Sequence, residues 1–432
     1  MALRQAVRMA SAIALVLSIA RVGYGQSTTN PRAFRGLFGP AQNDQSRPSQ
    51  LDLNVSFYGA EDVDDTGQLN LEAGVPTNQM YSGTNVGLAY KRRGVHKTLS
   101  LNAASSTRYY PDLERIVSTQ YNGDMLFTVT PAERWQVQTA GSVRYAPFYQ
   151  VAFGAAPPPP DGGTVGSVGS NPDYAASLQK SMTYGSLLGV KRTFGAASSL
   201  NLSYEMRYTQ FLDGPQYADQ RAEIRYSRAV SKSLALNLGY RQSASTPVVG
   251  STEPGIHGSD IDVGLGYNRS LFSSRNTVSF ATGTSTVSTG GGRQFMFTGS
   301  ARATRQVSRL WTAQLLYDRG VQVPDGSLTP FFSDTLTASI SGYFNRRVMF
   351  RTFPSYARGT AGVGAESNPY DSLASTTRLE IGLGRRVAFY FEHFYYRYAF
   401  ANNTNLPPMV AVSGLNRNGA RVGLTLWAPV IR

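Results

Sequence analysis

The sequence predicts an all-β chain that folds as a transmembrane, antiparallel up-and-down β-barrel of about 18 strands, an even number as in single-chain bacterial barrels. Three observations lead to this prediction. Apolar and polar residues alternate with a period of two over most of the chain, the alternating segments are long, and short connections alternate with mostly longer ones. Together they favour a membrane-spanning barrel over a soluble sheet.

Composition narrows the class of protein. The chain has 432 residues, with 41 Lys and Arg against 27 Asp and Glu, and only 16% of its residues are charged. An ordinary soluble domain has about 25% charged residues. Cysteine is absent, which excludes disulfide scaffolds and thiol nucleophiles. The basic residues are spread over the strands instead of being clustered, so nucleic acid is not expected as a partner.

The first segment has the pattern of a cleaved signal peptide. Arg4 and Arg8 precede an apolar stretch at 9–20, and Gly23 and Gly25 provide small residues for cleavage before Gln26. The apolar stretch is shorter than the ~20 residues that a spanning helix needs. The predicted organisation is a signal peptide at 1–25, a polar periplasmic N-terminal tail at 26–50 and an outer-membrane β-barrel at 51–432.

The period-two pattern begins at Leu51 and is clear at 200–208. One face carries Leu200, Leu202, Tyr204, Met206 and Tyr208, and the other carries Asn201, Ser203, Glu205 and Arg207. Similar alternation occurs at 218–227, 234–241, 261–268, 378–384 and 421–426. A helix would scatter these charges around every face, so the pattern predicts strands.

The predicted strands are long, about 9 to 13 residues, whereas soluble strands average about 5 to 6. They are expected at 51–59, 84–92, 97–109, 118–129, 134–149, 182–193, 198–211, 217–229, 233–243, 259–271, 276–288, 293–307, 309–320, 334–346, 348–357, 375–386, 387–399 and 417–427. A propeller or sandwich would use shorter strands at closer spacing. A solenoid would have a repeating consensus, and the sequence has none.

The connections predict the orientation. Tight turns are expected at 93–94, 130–133, 195–197, 231–232, 273–275 and 346–347, and longer connections at 60–83, 150–181, 244–258, 321–333, 358–374 and 401–416. Such alternation is typical of a meander with short periplasmic turns and longer exterior loops. The connection at 150–181 contains Pro157 to Pro160, which cannot pair in a sheet. Two interpretations stay open for it, a constriction loop inside the pore and a mobile exterior loop.

Aromatic residues near strand ends predict girdles at the membrane interfaces. The expected girdle residues are Tyr90, Trp135, Tyr184, Tyr226, Tyr240, Tyr267, Trp311, Phe344, Tyr398 and Trp427. The strand at 387–399 is ambiguous, because one register places Glu392 among aromatic residues and the other places His393 and Arg397 there.

A signal peptide followed by period-two strands and alternating connections, from Leu51 to Trp427, resembles a Gram-negative outer-membrane β-barrel of the porin type. The pattern is also similar to barrels associated with exopolysaccharide export. The resemblance implies a location in the cell outer membrane, with its lipids as partners. One feature departs from the family. Its members usually end in an aromatic residue, whereas here Trp427 is followed by residues 428–432.

The polar face of the predicted strands carries the functional candidates. Arg or Lys on the lipid face costs about 2–4 kcal/mol at mid-depth, so charges there should face a lumen. The candidate pore-lining residues are Lys91, Arg108, Arg144, Lys191, Glu205, Arg207, Arg221, Glu223, Arg225, Arg241, Asp262, Arg302, Arg351, Arg378, Glu380 and Arg421. A barrel of this size is too wide for side chains to fill. A second interpretation is that some of these charges pair with each other across neighbouring strands and so form part of the wall.

Catalytic and metal sites find little support in the sequence. The histidines are His96, His257 and His393, none with ligand spacing to another histidine or a carboxylate cluster. The acidic run at 61–65 does not fit an EF-hand loop, because Ala73 occupies the twelfth position. We therefore expect no enzymatic activity, no cofactor and no metal.

The predicted function is a porin-like channel that passes small, preferentially anionic solutes or saccharides. One alternative is the outer-membrane exit pore of an exopolysaccharide secretion system, with periplasmic partners docked on the tail at 26–50. Another is a non-conducting structural or adhesive barrel. The sequence leaves open the solute, the oligomeric state and whether loops close the pore.

Overall fold

The computed structural model describes residues 49–64, 78–111, 116–147, 149–150, 175–177, 180–195, 197–212, 214–231, 233–249, 254–267, 276–290, 292–308, 310–364, 367–402, 406–407, 410 and 413–431. The predicted signal peptide at 1–25, almost all of the predicted tail at 26–50 and the proline stretch of the 150–181 connection lie outside these residues.

Within this part of the chain the structure is made of β-strands. In chain order they are β1 Ser49–Asp64, β2 Asn78–Arg93, β3 Lys97–Tyr110, β4 Ile116–Ala132, β5 Trp135–Ala146, β6 Tyr149–Gln150, β7 Ala175–Ser177, β8 Ser181–Phe194, β9 Ser198–Phe211, β10 Gln216–Ala229, β11 Leu234–Val249, β12 Ile256–Tyr267, β13 Asn276–Thr289, β14 Gly292–Gln306, β15 Trp311–Gln322, β16 Phe331–Tyr343, β17 Val348–Ala361, β18 Asn368–Gly382, β19 Val387–Phe400 and β20 Gly414–Ile431. No helix among the described residues is long and apolar enough to cross a membrane.

The strands form a closed antiparallel barrel. Apart from β6 and β7, which pair with each other, every strand pairs with its neighbours in sequence, and β1 closes the ring by pairing with both β2 and β20. The barrel sheet has 18 strands, which confirms the predicted fold and the predicted strand count. Closure leaves no unpaired sheet edge, as a barrel in a membrane requires.

The barrel strands are longer than the sequence predicts, from 12 residues in β5 to 18 in β20. A strand crosses the hydrocarbon region in about 9–11 residues, so many strands extend beyond it. Residues 244–249, 256–258, 358–361 and 368–374 were expected in connections and belong to strands. Polar residues at these strand ends still pair, because backbone hydrogen bonding does not depend on the side chain.

The predicted strand at 375–386 is wrong at both ends, since β18 is Asn368–Gly382. A tight turn ends it: the Gly382 N–H donates to the Arg347 carbonyl at 2.6 Å, and the N–H groups of Leu383 and Gly384 donate to the Val387 carbonyl at 3.0 and 3.1 Å. Residues 383–386 therefore form a turn, although Leu383 continues the apolar alternation.

The two ends of the barrel differ. We call the end with the connections 94–96, 133–134, 195–197, 230–233, 268–275, 307–310, 344–347 and 383–386 the turn end, and the opposite one the loop end. The loop end includes the connections at 65–77, 147–180, 323–330 and 401–413, but also short ones at 212–215 and 290–291. The predicted alternation of short and long connections is therefore only partly regular.

Aromatic rings inside the barrel lie over glycines of the neighbouring strand. A Cβ at Gly83 would collide with the Tyr58 ring, and a Cβ at Gly423 would collide with Tyr390 and the Phe57 carbonyl. Glycine is therefore required where a large inner ring crosses the next strand, which packs this part of the wall tightly.

Candidate pore wall

Contacts between distant strands identify the inner face of the barrel. Arg207 of β9 contacts Asp325, which follows β15, and Phe211 of β9 lies in the same buried cluster as Tyr398 of β19. Only side chains directed into the barrel reach non-neighbouring strands. Leu202 and Tyr204 alternate with these inner residues and are exposed, so they face outward.

The pairing register extends this assignment around the barrel, because directly opposed residues share a face. The outward positions form an apolar surface that includes Leu88, Leu101, Leu188, Leu238, Val263, Phe280, Leu315, Leu336, Phe391 and Leu424, all exposed. Every candidate pore-lining residue named from the sequence lies on the opposite, inner face. Their role in conduction stays a prediction.

Some of these residues form one group of ion pairs on β9 to β12, which we call the exposed network. It consists of Glu205, Arg207, Arg221, Glu223, Arg225, Arg241 and Asp260. Arg207 and Arg221 both pair with Glu205, at 2.5 and 3.6 Å. Arg241 pairs with Asp260 at 2.6 Å, and Asp260 also accepts a hydrogen bond from Ser285. Asp260 was missed in the sequence, although Asp262 and the period of two point to it.

In the exposed network the arginine is the more accessible member of each pair between strand residues. The Arg221 side chain is 47% exposed against 22% for Glu205, and Arg225 is 49% exposed against 18% for Glu223. Neighbouring inner positions are small or polar, such as Ser203, Asn237 and Gly239, so no large side chain on these strands covers the guanidinium groups. The Arg207 guanidinium is contacted from across the lumen by Asp325. Water in the lumen therefore contacts cationic groups more than carboxylates.

A second group of ion pairs, the buried network, lies on β17 to β20. It consists of Arg351, Arg378, Glu380, Glu392 and Arg421. Glu380 lies 3.3 Å from Arg351 and 3.4 Å from Arg378, and Glu392 lies 3.5 Å from Arg378 and 3.1 Å from Arg421. The Glu380 side chain is only 4% exposed.

Aromatic rings cover the buried network. The Arg378 guanidinium lies 3.9 Å from the Tyr390 ring centroid, and that of Arg421 lies 4.6 Å from the Phe394 centroid. Arg421 also donates to the Tyr81 hydroxyl at 3.2 and 3.3 Å. Cation–π contacts gain strength when the cation is desolvated. This side of the wall is therefore a packed layer, in which the side chains of Arg351 and Arg378 are only 24% and 25% exposed.

The remaining basic candidates differ in their exposure and in their contacts. Lys91, Arg144, Lys191 and Arg302 are exposed on the inner face and form no ion pair with a residue that the structure describes. Arg108 is buried, lies 5.2 Å from the Tyr81 ring centroid and donates to the Tyr110 hydroxyl at 3.4 Å. The exposed four add positive charge to the lumen, although Asp124 on the neighbouring strand interacts electrostatically with Arg144. Arg108 belongs to the packed side.

The connection at 323–330 folds into the barrel, which the sequence analysis missed. Asp325 accepts two hydrogen bonds from Arg207, at 2.8 and 3.0 Å, and the Ser327 carbonyl accepts one from the buried Ser245 of β11 at 3.4 Å. Gly326 has a φ of 76°, a conformation that glycine adopts without strain. This inserted loop therefore joins β15 and β16 to strands across the lumen.

Two buried apolar clusters surround the inserted loop at the loop end. The first contains Phe211, Tyr217, Phe331, Ala361, Tyr370, Tyr396, Tyr398, Phe400, Val410 and Leu415. The second contains Ile256, Val287, Phe332 and Val363, and Leu328 packs against both clusters. They link β9 and β10, and β12 and β13, to strands across the barrel, so this part of the mouth is filled. Both interpretations of the connection at 150–181, a constriction loop and an exterior loop, stay predictions, because most of it lies outside the described residues.

The structure shows the register of β19 and the direction in which the predicted girdle residues point. In β19, Glu392 faces inward among Tyr390 and Phe394, while His393 faces outward and lies 2.7 Å from the Asn418 side chain. Most of the predicted girdle residues face outward, but Tyr398 and Trp427 do not. Tyr398 lies in the first buried cluster, and Trp427 is opposed to the inner position Asn54.

No group of His, Asp and Glu that could hold a metal ion occurs within the described ranges. The acidic run at 61–65 falls on residues whose side chains lie outside the description. That the barrel lacks enzymatic activity stays a prediction.

Comparison with known proteins finds only distant similarity. No family model matches the sequence, and no curated protein matches it. Among solved structures, Acinetobacter baumannii OccAB4 is 9% identical with a TM-score of 0.45, over 90% of this chain and 100% of that one. Pseudomonas aeruginosa OpdQ is 9% identical with a TM-score of 0.44, over 89% and 98%. Pseudomonas aeruginosa OccK2 in complex with glucuronate is 8% identical with a TM-score of 0.45, over 89% and 98%. These values are too low to transfer a substrate or a residue's role.

Proposed function

We propose that this chain is an outer-membrane channel of the porin type that passes small, preferentially anionic solutes. A closed barrel with an apolar outward face is the β-structure that satisfies every backbone hydrogen bond in a bilayer. Single-chain barrels of this kind occur in the Gram-negative outer membrane. A barrel of this strand number encloses more space than side chains fill, unless loops enter it.

The accessibility of arginine in the exposed network is the observation that carries the anion preference. Low-dielectric walls focus the field of charged groups into a pore. Arg221 and Arg225 contact water more than their carboxylate partners do. The exposed Arg144, Lys191 and Arg302, which form no ion pair within the described part of the chain, add charge of the same sign. An anion entering the lumen therefore gains more favourable interactions than a cation.

The test is the reversal potential of the purified protein in a planar bilayer under a potassium chloride gradient at low salt, about 0.1 M on the dilute side, where screening is weak. We expect the sign that indicates anion preference. Replacing Arg221 and Arg225 by Gln should reduce it, and the outward-facing Arg319→Gln should leave it unchanged. A cation-selective wild type would overturn the proposal.

A second candidate, a barrel that conducts little, is favoured by the inserted loop and the two apolar clusters at the loop end. Very small single-channel currents from correctly folded protein would support it. Exopolysaccharide export has no comparable observation in its favour and stays a prediction, as does the docking of secretion partners on the tail at 26–50.

A further inference from the structure

Positive charge is concentrated at one end of the barrel. The described turns at the turn end contain Arg134, Arg346, Arg347, Arg385 and Arg386, with Glu133 as their single acidic residue. At the same level, four strands carry an exposed arginine on the outward face within two residues of their last residue: Arg92 of β2, Arg192 of β8, Arg228 of β10 and Arg305 of β14. We call these four residues the basic collar. The pore does not use them, because they face away from the lumen.

The collar residues lie immediately beyond the apolar outward surface of the barrel, next to aromatic residues. Arg92 and Arg228 each lie two positions beyond an outward-facing tyrosine, Tyr90 and Tyr226. The guanidinium of Arg192 lies 4.9 Å from the ring centroids of both Trp135 and Phe194. Tyrosine and tryptophan mark the level of the lipid headgroups, so the collar lies where phosphate groups begin.

The collar charges have no acidic partner among the residues that the structure describes. None of the four forms an ion pair within that part of the chain. The outward charges at the loop end contrast with this. There Arg319, Asp334, Arg358 and Asp371 are opposed in turn across β15 to β18, so that basic and acidic residues alternate. The loop end also carries the outward-facing Arg293 and Arg397. Acidic residues nevertheless lie directly opposite some of its arginines, whereas the described residues directly opposite the four collar arginines are all uncharged.

We infer that the basic collar binds the phosphate groups of anionic phospholipids in the leaflet at the turn end. Arginine presents a planar set of donors that matches phosphate oxygens. The collar strands β2, β8, β10 and β14 are spread along the arc of the ring from β2 to β14. On the remaining arc, the turns after β16 and β18 supply Arg346, Arg347, Arg385 and Arg386, so basic residues face lipid on both sides of the barrel. A protein partner docked on one side would contact only part of them. The inference rests on the proposed membrane location and does not depend on which solute is conducted.

Trp135 is a natural reporter of this site, since Arg192 lies over its ring. In a Trp311→Phe, Trp427→Phe background it is the remaining tryptophan of the chain. The protein is reconstituted in phosphatidylcholine vesicles with either dibrominated phosphatidylglycerol or dibrominated phosphatidylcholine as quencher. We expect stronger quenching by the anionic lipid, with a preference of roughly fivefold per basic residue, the ratio that corresponds to about 1 kcal/mol. About 1 M salt should reduce the preference.

Variants separate the collar from general electrostatics. Replacing the four collar residues by Gln should abolish the preference, and replacing them by Lys should retain most of it. The matched pair Arg319→Gln and Arg358→Gln at the loop end should leave it unchanged. Equal quenching by both lipids in the single-tryptophan protein with an intact collar, or an equal loss in the loop-end control, would overturn the inference. Folding is checked by heat-modifiable migration in gels, and the Lys variant and the salt series keep the test decisive if the Gln variant misfolds.

Failure of the membrane proposal itself has a different signature. A protein that does not float with the vesicles at all contradicts the membrane location. A protein that floats and conducts, but shows no preference for the anionic lipid, contradicts the collar alone.

Discussion

The exposed network and the buried network use the same residue types at the same spacing and differ in their surroundings. Glu223 and Arg225 are two positions apart on β10, and Arg378 and Glu380 are two positions apart on β18. The Arg225 side chain is 49% exposed and that of Arg378 is 25% exposed. The difference comes from the neighbours, because aromatic rings cover one network and small polar residues surround the other.

The comparison separates two roles for charges in a barrel wall. Ion pairs exposed to water contribute little to stability, about 0–1 kcal/mol, but their field acts on solutes. Buried ion pairs are screened less by salt, and removing one partner of such a pair destabilises the protein strongly. We therefore expect the exposed network to set selectivity and the buried network to hold the wall together.

The largest expected effect is on stability. Glu380→Gln leaves Arg351 and Arg378 without their shared carboxylate in a buried site, which should cost about 3–5 kcal/mol of unfolding free energy. The matched change in the exposed network, Glu223→Gln, should cost no more than about 1 kcal/mol. Urea unfolding of the folded barrel measures both. Equal costs would mean that the two networks do not differ in burial.

The next effect concerns the inserted loop. Asp325→Asn removes the charge that holds the loop to Arg207. Both side chains are partly exposed, so the pair contributes at most about 1 kcal/mol, and the detached loop should become up to roughly fivefold more populated. Single-channel conductance and anion preference should both rise, because Arg207 then keeps, among the described carboxylates, only Glu205, which it shares with Arg221. Asp318→Asn, an inner residue of β15 without an ion pair to the loop, is the control. An unchanged current in Asp325→Asn would show that the apolar clusters alone hold the loop.

A smaller effect tests the register of the exposed network. Glu205→Lys should raise anion preference in the reversal potential, because Glu205 is the carboxylate shared by Arg207 and Arg221. Leu202→Ser, on the outward face of the same strand, should change it much less. Equal shifts would indicate a strand register wrong by one residue, which exchanges the two faces.

The smallest effect is the response of the buried network to salt. Raising salt from about 0.1 M to about 1 M shortens the Debye length from about 10 Å to about 3 Å. This should remove most of the shift caused by Glu205→Lys and leave the stability cost of Glu380→Gln nearly unchanged. A stability cost that falls in parallel with the selectivity would show that water reaches Glu380.

The sequence predicted most of the charged residues on the inner face of the barrel. It did not predict that they divide into an exposed network and a buried network. Period-two alternation places Glu205, Arg225 and Glu380 opposite the apolar face within their own strands. Nothing local distinguishes Glu380 from Glu223, however, because the rings that bury Glu380 come from β19. The ambiguity at Glu392 and His393 had the same origin, and Arg378 and Arg421 on the neighbouring strands decide it by opposing Glu392.

The sequence by itself determined the strands, their number and the face on which each charge lies, because side-chain direction in a strand depends only on position along the chain. Only the tertiary structure decided which groups meet across the lumen. Arg207 and Asp325 are 118 positions apart, and they come together because the ring closes in one register and the connection at 323–330 turns inward. Tyr398 and Trp427 were assigned to the wrong face for a related reason. Their aromatic character suggested the membrane interface, while the pairing register and the packing at the loop end direct them into the barrel.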